Sequence, residues 1–128
     1  MKKHFAVVFL SSLLIAIIAI ANTGISSIQS VPGPIAYGLI DSNGNIITAT
    51  PNVIGAEFDS ISGQYAVALE GINFVFSQFV TQVTVPFGLT EKPLIAMTNS
   101  SGGNLRVIVL DVAGDIAQSP FQFVIYQP

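Results

Sequence analysis

From residue 22 onward, no stretch of this chain sustains a helical period over about ten residues. Turn signals built from Gly, Pro, Asn, Asp and Ser recur instead at intervals of about 8–12 residues. Short runs rich in Val, Ile, Phe and Thr lie between them, and that spacing specifies an all-β sandwich or barrel. Strands are predicted at 35–40, 45–50, 53–58, 64–70, 78–86, 93–98, 104–110 and 120–126. A side-chain period of two places Tyr65, Val67 and Leu69 on one sheet face, and likewise Phe79, Thr81, Val83 and Val85. Phe121, Phe123 and Ile125 alternate with Gln122, Val124 and Tyr126. Residues 105–110 are apolar more continuously and suit a strand buried on both faces. For Gly71–Ser77, strand and loop fit equally well. The fold class expected is a small antiparallel β-sandwich, jelly-roll or Ig-like, of about seven to eight strands.

Two segments end a strand with the same chemistry. Asp41-Ser42-Asn43-Gly44-Asn45-Ile46 parallels Asp111-Val112-Ala113-Gly114-Asp115-Ile116. An Asp side chain can accept backbone N–H groups just ahead of it, and the following Gly supplies a positive φ. Both are predicted to be hairpin turns. Asp41–Asn45 also resembles the start of a calcium loop, but its Gly stands at the fourth position rather than the sixth and no Glu follows at the twelfth. A weak calcium site shared between loops, for example by Asp111 and Asp115, is the metal alternative.

The N-terminus reads as a targeting segment. Lys2, Lys3 and His4 precede an apolar run from Phe5 to Ile20, which closes on Ala19-Ile20-Ala21 and polar Asn22. This is the layout of a secretory signal peptide cleaved after Ala21. An uncleaved anchor is the alternative, although the run falls short of the roughly 20 residues of a spanning helix. The domain plan is therefore a signal peptide at 1–21, a flexible Ser/Gly/Pro-rich lead-in at 22–34 and one β-sandwich at 35–128. The localisation expected is secreted, periplasmic or cell-surface, with no membrane attachment after cleavage.

Charge limits what the exported part can do. Seven acids stand against Lys92 and Arg106, a formal net charge of −5 after residue 21. Two cations cannot neutralise a phosphate backbone, so nucleic acid is not an expected partner. His4 is the one histidine and cysteine is absent. Ser-His and Cys-His nucleophiles are thereby excluded from the exported part, and a zinc site has no His or Cys to hold it. Glu57 and Asp59 could share a strand face as paired carboxylates, yet the chain has no Trp and only three Tyr to build a sugar cleft. They read better as solvated edge charges. No catalytic residue, metal ligand or cofactor is expected, and the protein is read as a non-enzyme.

So few charges on so apolar a chain imply apolar surface that another chain or neighbours in an assembly cover. Phe121–Tyr126 is expected to be a central strand, with Val124 and Tyr126 on its outward side as candidate subunit contacts. Asn99-Ser100-Ser101 matches a glycosylation sequon and, with Gly102 and Gly103, reads as an exposed hairpin loop. Tyr37 together with Asn99, Ser100 and Ser101 is the candidate ligand surface, for a glycan or other cell-surface ligand. A strand-exchange subunit of the pilus type is a further alternative. Its donor segment would have to alternate, whereas Ile25, Ile28 and Val31 are spaced by three.

The order Ala36-Tyr37-Gly38-Leu39-Ile40-Asp41, Gly44, Asn52-Val53 and Ser62-Gly63-Gln64-Tyr65-Ala66-Val67, closing on Phe121–Tyr126, resembles short β-rich modules of bacterial and phage proteins, of the tail-fibre-tip type. The Gly-x-Tyr strand and the aromatic terminal strand also resemble the trimeric C1q-like jelly roll, a fold usually longer than this chain. The resemblance spans most of residues 35–126 and rests on turn and strand patterns, so it carries over no binding residue. It implies a structural or adhesive module that assembles with itself, as a trimer in the C1q-like case. The chain departs from such modules in being exported without the long fibre that precedes a tip.

Overall fold

A computed structural model describes residues 33–86 and 92–128. The expected signal peptide and most of the lead-in lie outside the described residues. Among the described residues, eight strands form where the turn spacing places them: β1 (Ala36–Ile40), β2 (Ile46–Ala49), β3 (Val53–Asp59), β4 (Gln64–Leu69), β5 (Val80–Thr84), β6 (Leu94–Ser101), β7 (Asn104–Asp111) and β8 (Phe121–Tyr126). No helix forms among the described residues. Sheet one has the order β2-β1-β8-β5 and sheet two the order β3-β4-β7-β6. Every pairing is antiparallel. The protein is a β-sandwich with four strands in each layer.

The core follows from the period of two. Ala36, Ile40, Phe121, Phe123 and Ile125 point inward from sheet one, and Tyr65, Val67, Leu69, Leu105, Val107 and Val109 from sheet two. Burying each large apolar side chain stabilises the fold by about 1.5–3 kcal/mol. β8 lies between β1 and β5, so the terminal strand is central, as its aromatic face requires. Gly38 stands opposite Phe123, and a Cβ there would come within 2.9 Å of the Phe123 ring and 3.0 Å of Ala49 Cβ. The missing side chain is what lets Phe123 lie flat across β1. β7 differs from its expected burial on both faces: Leu105, Val107 and Val109 are fully buried, whereas Arg106, Ile108 and Leu110 are half-buried on the outer side.

Two connections resolve what the sequence left open or misplaced. Gly71–Ser77 is a loop, anchored by buried Phe74, whose ring stacks on Phe79 at 5.4 Å and whose N–H donates to the Gly103 carbonyl at 2.9 Å. Ser100 and Ser101 are not loop residues: they continue β6 and pair with Leu105 and Asn104. The turn shrinks to Gly102-Gly103, with φ of 60° and 79°. Two successive positive φ angles make the tight hairpin turn that matches the twist of the flanking strands.

Tyr65 ties the layers together. Its ring packs between Phe58 at 4.8 Å and Phe121 at 5.0 Å. Its hydroxyl donates to the Ser42 carbonyl at 2.8 Å and accepts the Ser119 N–H at 3.2 Å. Tyr65→Phe keeps the ring and strands both backbone groups. The expected loss is about 1–3 kcal/mol in chemical denaturation with the m-value unchanged.

Candidate functional site

The structure brings Tyr37, Val124 and Tyr126 together. Val124 is the direct register partner of Tyr37 on β1 and of Gln82 on β5, and Tyr126 pairs with Val80. These residues alternate with the buried set and therefore occupy the outer face of sheet one. With Leu39, Thr48 and Gln122 they line a shallow depression of about 360 Å³. Tyr37 is 50% exposed and Val80 54%, while Val124 is half-buried at the centre. A hydrogen-bond pair locks the rim: Thr50 Oγ accepts from the Tyr37 N–H at 3.2 Å and donates to the Tyr37 carbonyl at 3.3 Å.

None of the four strands of sheet one contains Asp, Glu, Lys or Arg. Charge sits elsewhere, on β3, on β7 and in turns. The edges of sheet one are β2 and β5, and β5 (Val-Thr-Gln-Val-Thr) carries no charge, proline or bulge of the kind that guards an exposed edge. An uncharged outer face bounded by such an edge makes sheet one the candidate association surface.

The remaining predicted ligand residues do not join this face. Asn99, Ser100 and Ser101 lie at the end of β6, an edge strand of sheet two. Asn99 is exposed and its Oδ1 accepts the Ser100 N–H at 2.8 Å; Ser100 Oγ accepts the Phe76 N–H at 3.2 Å. The candidate ligand set thus splits between two sheets. Sequence reasoning linked Tyr37 to the wrong partners, because its true neighbours come from the far end of the chain.

Three of the acidic residues, Asp41, Asp59 and Asp111, build turns. Asp41 Oδ1 accepts the N–H groups of Asn43 at 2.9 Å and Asn45 at 2.8 Å, and Oδ2 accepts from Asn45 Nδ2 at 3.1 Å. Asp111 Oδ1 repeats the pattern with Ala113 at 2.9 Å and Asp115 at 3.0 Å. The backbone bonds match as well: Asp41 N–H donates to Asn45 and Asp111 N–H to Asp115. The Asp41 turn joins β1 and β2 as the predicted hairpin, whereas the Asp111 turn, alike in its bonds, closes only the single Leu110–Ile116 bridge before the chain crosses to sheet one. Asp59 accepts from the Ile61 N–H and the Ser62 hydroxyl at 2.9 Å each, which commits both its oxygens to the β3–β4 connection. Among the described residues, no group of three or more His, Cys, Asp or Glu is placed to hold a metal ion.

Comparison of the chain with family models, with curated proteins and with solved structures finds no match.

These turns carry a pH dependence. The Asn45 N–H is the largest cause holding the Asp41 carboxyl below the usual 3.8, with the Asn45 amide and the Asn43 N–H adding to it. For Asp59 the Ile61 N–H leads and the Ser62 hydroxyl follows. A carboxyl whose folded pKa is lowered contributes stability that is full above its unfolded value and fades as pH falls through the folded one. Stability should therefore decline below about pH 4. Asp41→Asn, which removes one titrating turn, should be less stable than the parent near pH 7 and lose less on acidification. Denaturation midpoints from pH 7 to pH 2 check both signs.

Proposed function

We propose that this protein is a secreted, non-enzymatic structural or surface-recognition module that associates with further copies of itself through the outer face of sheet one. The observation that carries this reading is the complete absence of formal charge from the four strands of that sheet, on a chain whose acids are all placed elsewhere. Exposed Tyr37 and Val80 flank half-buried Val124 and Tyr126, which gives an apolar centre with Gln82, Thr84 and Gln122 as a neutral polar surround. Such a centre is favourable to bury, while leaving it in water has no solubilising charge to offset it. Tyrosine suits the role, since its ring buries area and its hydroxyl stays satisfied at a rim. The signal peptide read at residues 1–21 would put such an assembly outside the cytoplasm.

A charge at the centre of this face should dissociate the assembly. Val124→Lys and Tyr126→Lys are expected to sediment as monomers at concentrations where the parent is a discrete oligomer. The long lysine stem can reach solvent from either position, so the fold survives. Val112→Lys, on the exposed β7–β8 turn, should leave the native mass unchanged. A Val124→Lys protein with the parent's mass, or a parent that is monomeric throughout, would show that this face is not an interface.

A further inference from the structure

On the opposite layer, the outer face of sheet two holds the chain's one arginine. Arg106 lies on β7 between Ala66 of β4 and Asn99 of β6. In the neighbouring register row, Ile108 lies between Gln64 and Met97. Gln64, Met97, Asn99, Arg106 and Ile108 line a depression of about 260 Å³. Among the described residues the Arg106 side chain forms no ion pair within 4.0 Å and no hydrogen bond, and its Nε is buried without a partner. Burying a guanidinium nitrogen unpaired is costly, and a ligand acceptor would offset that cost.

The surroundings are rich in uncommitted donors. The Gln64 amide makes no hydrogen bond within the described protein. Asn99 uses its Oδ1 on the Ser100 N–H, which leaves Nδ2 to donate. Met97 and Ile108 add apolar surface. No carboxylate lines the depression. Asp59 feels the Arg106 charge, but both its oxygens already accept hydrogen bonds from the β3–β4 connection.

We propose that this depression binds the carboxylate of a single acidic sugar unit, a hexuronate or its like. A planar guanidinium pairs with a carboxylate through two parallel bonds. One arginine, with no second cation lining the site, balances a monoanion and not a phosphate dianion. The Gln64 and Asn99 amides offer donors and acceptors for ring hydroxyls. The Met97 and Ile108 side chains face the C–H side of the ring. The volume lies below the ~300–1,000 Å³ of drug-sized sites, which fits one sugar unit and not a longer chain. The site is on the sheet opposite the proposed self-association face, so it remains open in an assembly and multiplies there. Such avidity would suit weak single-site binding.

The test is a titration of the ¹⁵N-labelled protein with sodium glucuronate, followed by two-dimensional NMR at constant ionic strength. Shifts are expected at the amides of residues 97–99 and 106–108 and at Arg106 Nε–H, saturating with a Kd on the order of 1 mM. Glucose and acetate should each bind at least about tenfold more weakly, since each supplies half of the recognised chemistry. Arg106→Gln should abolish the response. Asn99→Asp does the same by placing a like charge beside the ligand; Asn99 is exposed on an edge strand, so its replacement leaves the fold intact. Shifts absent or scattered over the surface would overturn the site. Acetate binding as tightly as glucuronate would overturn the sugar assignment.

Discussion

The two layers of this protein meet at Tyr65. Its ring is fully buried between Phe58 of the neighbouring strand and Phe121 of the opposite sheet. Its hydroxyl reaches the β1–β2 turn through the Ser42 carbonyl and the segment before β8 through the Ser119 N–H. One side chain therefore positions the first hairpin, the entry to the terminal strand and the centre of sheet two. Burial is the main reason its phenol titrates above the ordinary value, so the neutral form is the one the fold holds at physiological pH. A buried hydroxyl with both of its bonds made specifies one arrangement of the sheets, where an apolar ring alone would permit sliding.

With Tyr65 satisfied in this way, the two layers are held in register and their outer faces differ. Sheet one is uncharged, broad and edged by an unguarded β5. Sheet two carries Glu57 and Arg106 on its outer side and Asp59 and Asp111 at strand ends. The Asp41, Asp59 and Asp111 carboxylates accept hydrogen bonds within their own turns, where the bonds are local and the charge stays in water. Low charge content is thus segregated by layer. That division keeps the proposed association surface and the proposed ligand surface on opposite layers, with the core between them.

The period-two pattern made the strands legible, because each inward set (Tyr65-Val67-Leu69, Phe121-Phe123-Ile125) is apolar at every position. The Asp-x-x-Gly turns were legible for a local reason: the carboxylate, its N–H donors and the glycine lie within five residues. Register across the sandwich was not. Tyr37 and Val124 become neighbours only because β8 returns to lie beside β1, a non-local pairing that no local signal encodes. Ser100 and Ser101 were read as loop because Ser and Gly share turn propensity, yet Gly102-Gly103 alone closes the hairpin and leaves the serines in the ladder. Phe74 imitates a strand residue in sequence and is buried from a loop. The Arg106 depression left one trace in the sequence, an arginine with no evident acid partner on an otherwise apolar strand.

The central claim is that the uncharged face of sheet one is covered by further copies of the chain. Hydroxyl-radical footprinting at low and high protein concentration tests it at the level of single side chains. Tyr37 and Val80 should lose reactivity as concentration rises, while Ile61 and Val112, 96% and 71% exposed on turns, keep theirs. Tyr37 reacting equally at both ends of the series, with protection instead at Ile61 or Val112, would contradict the account.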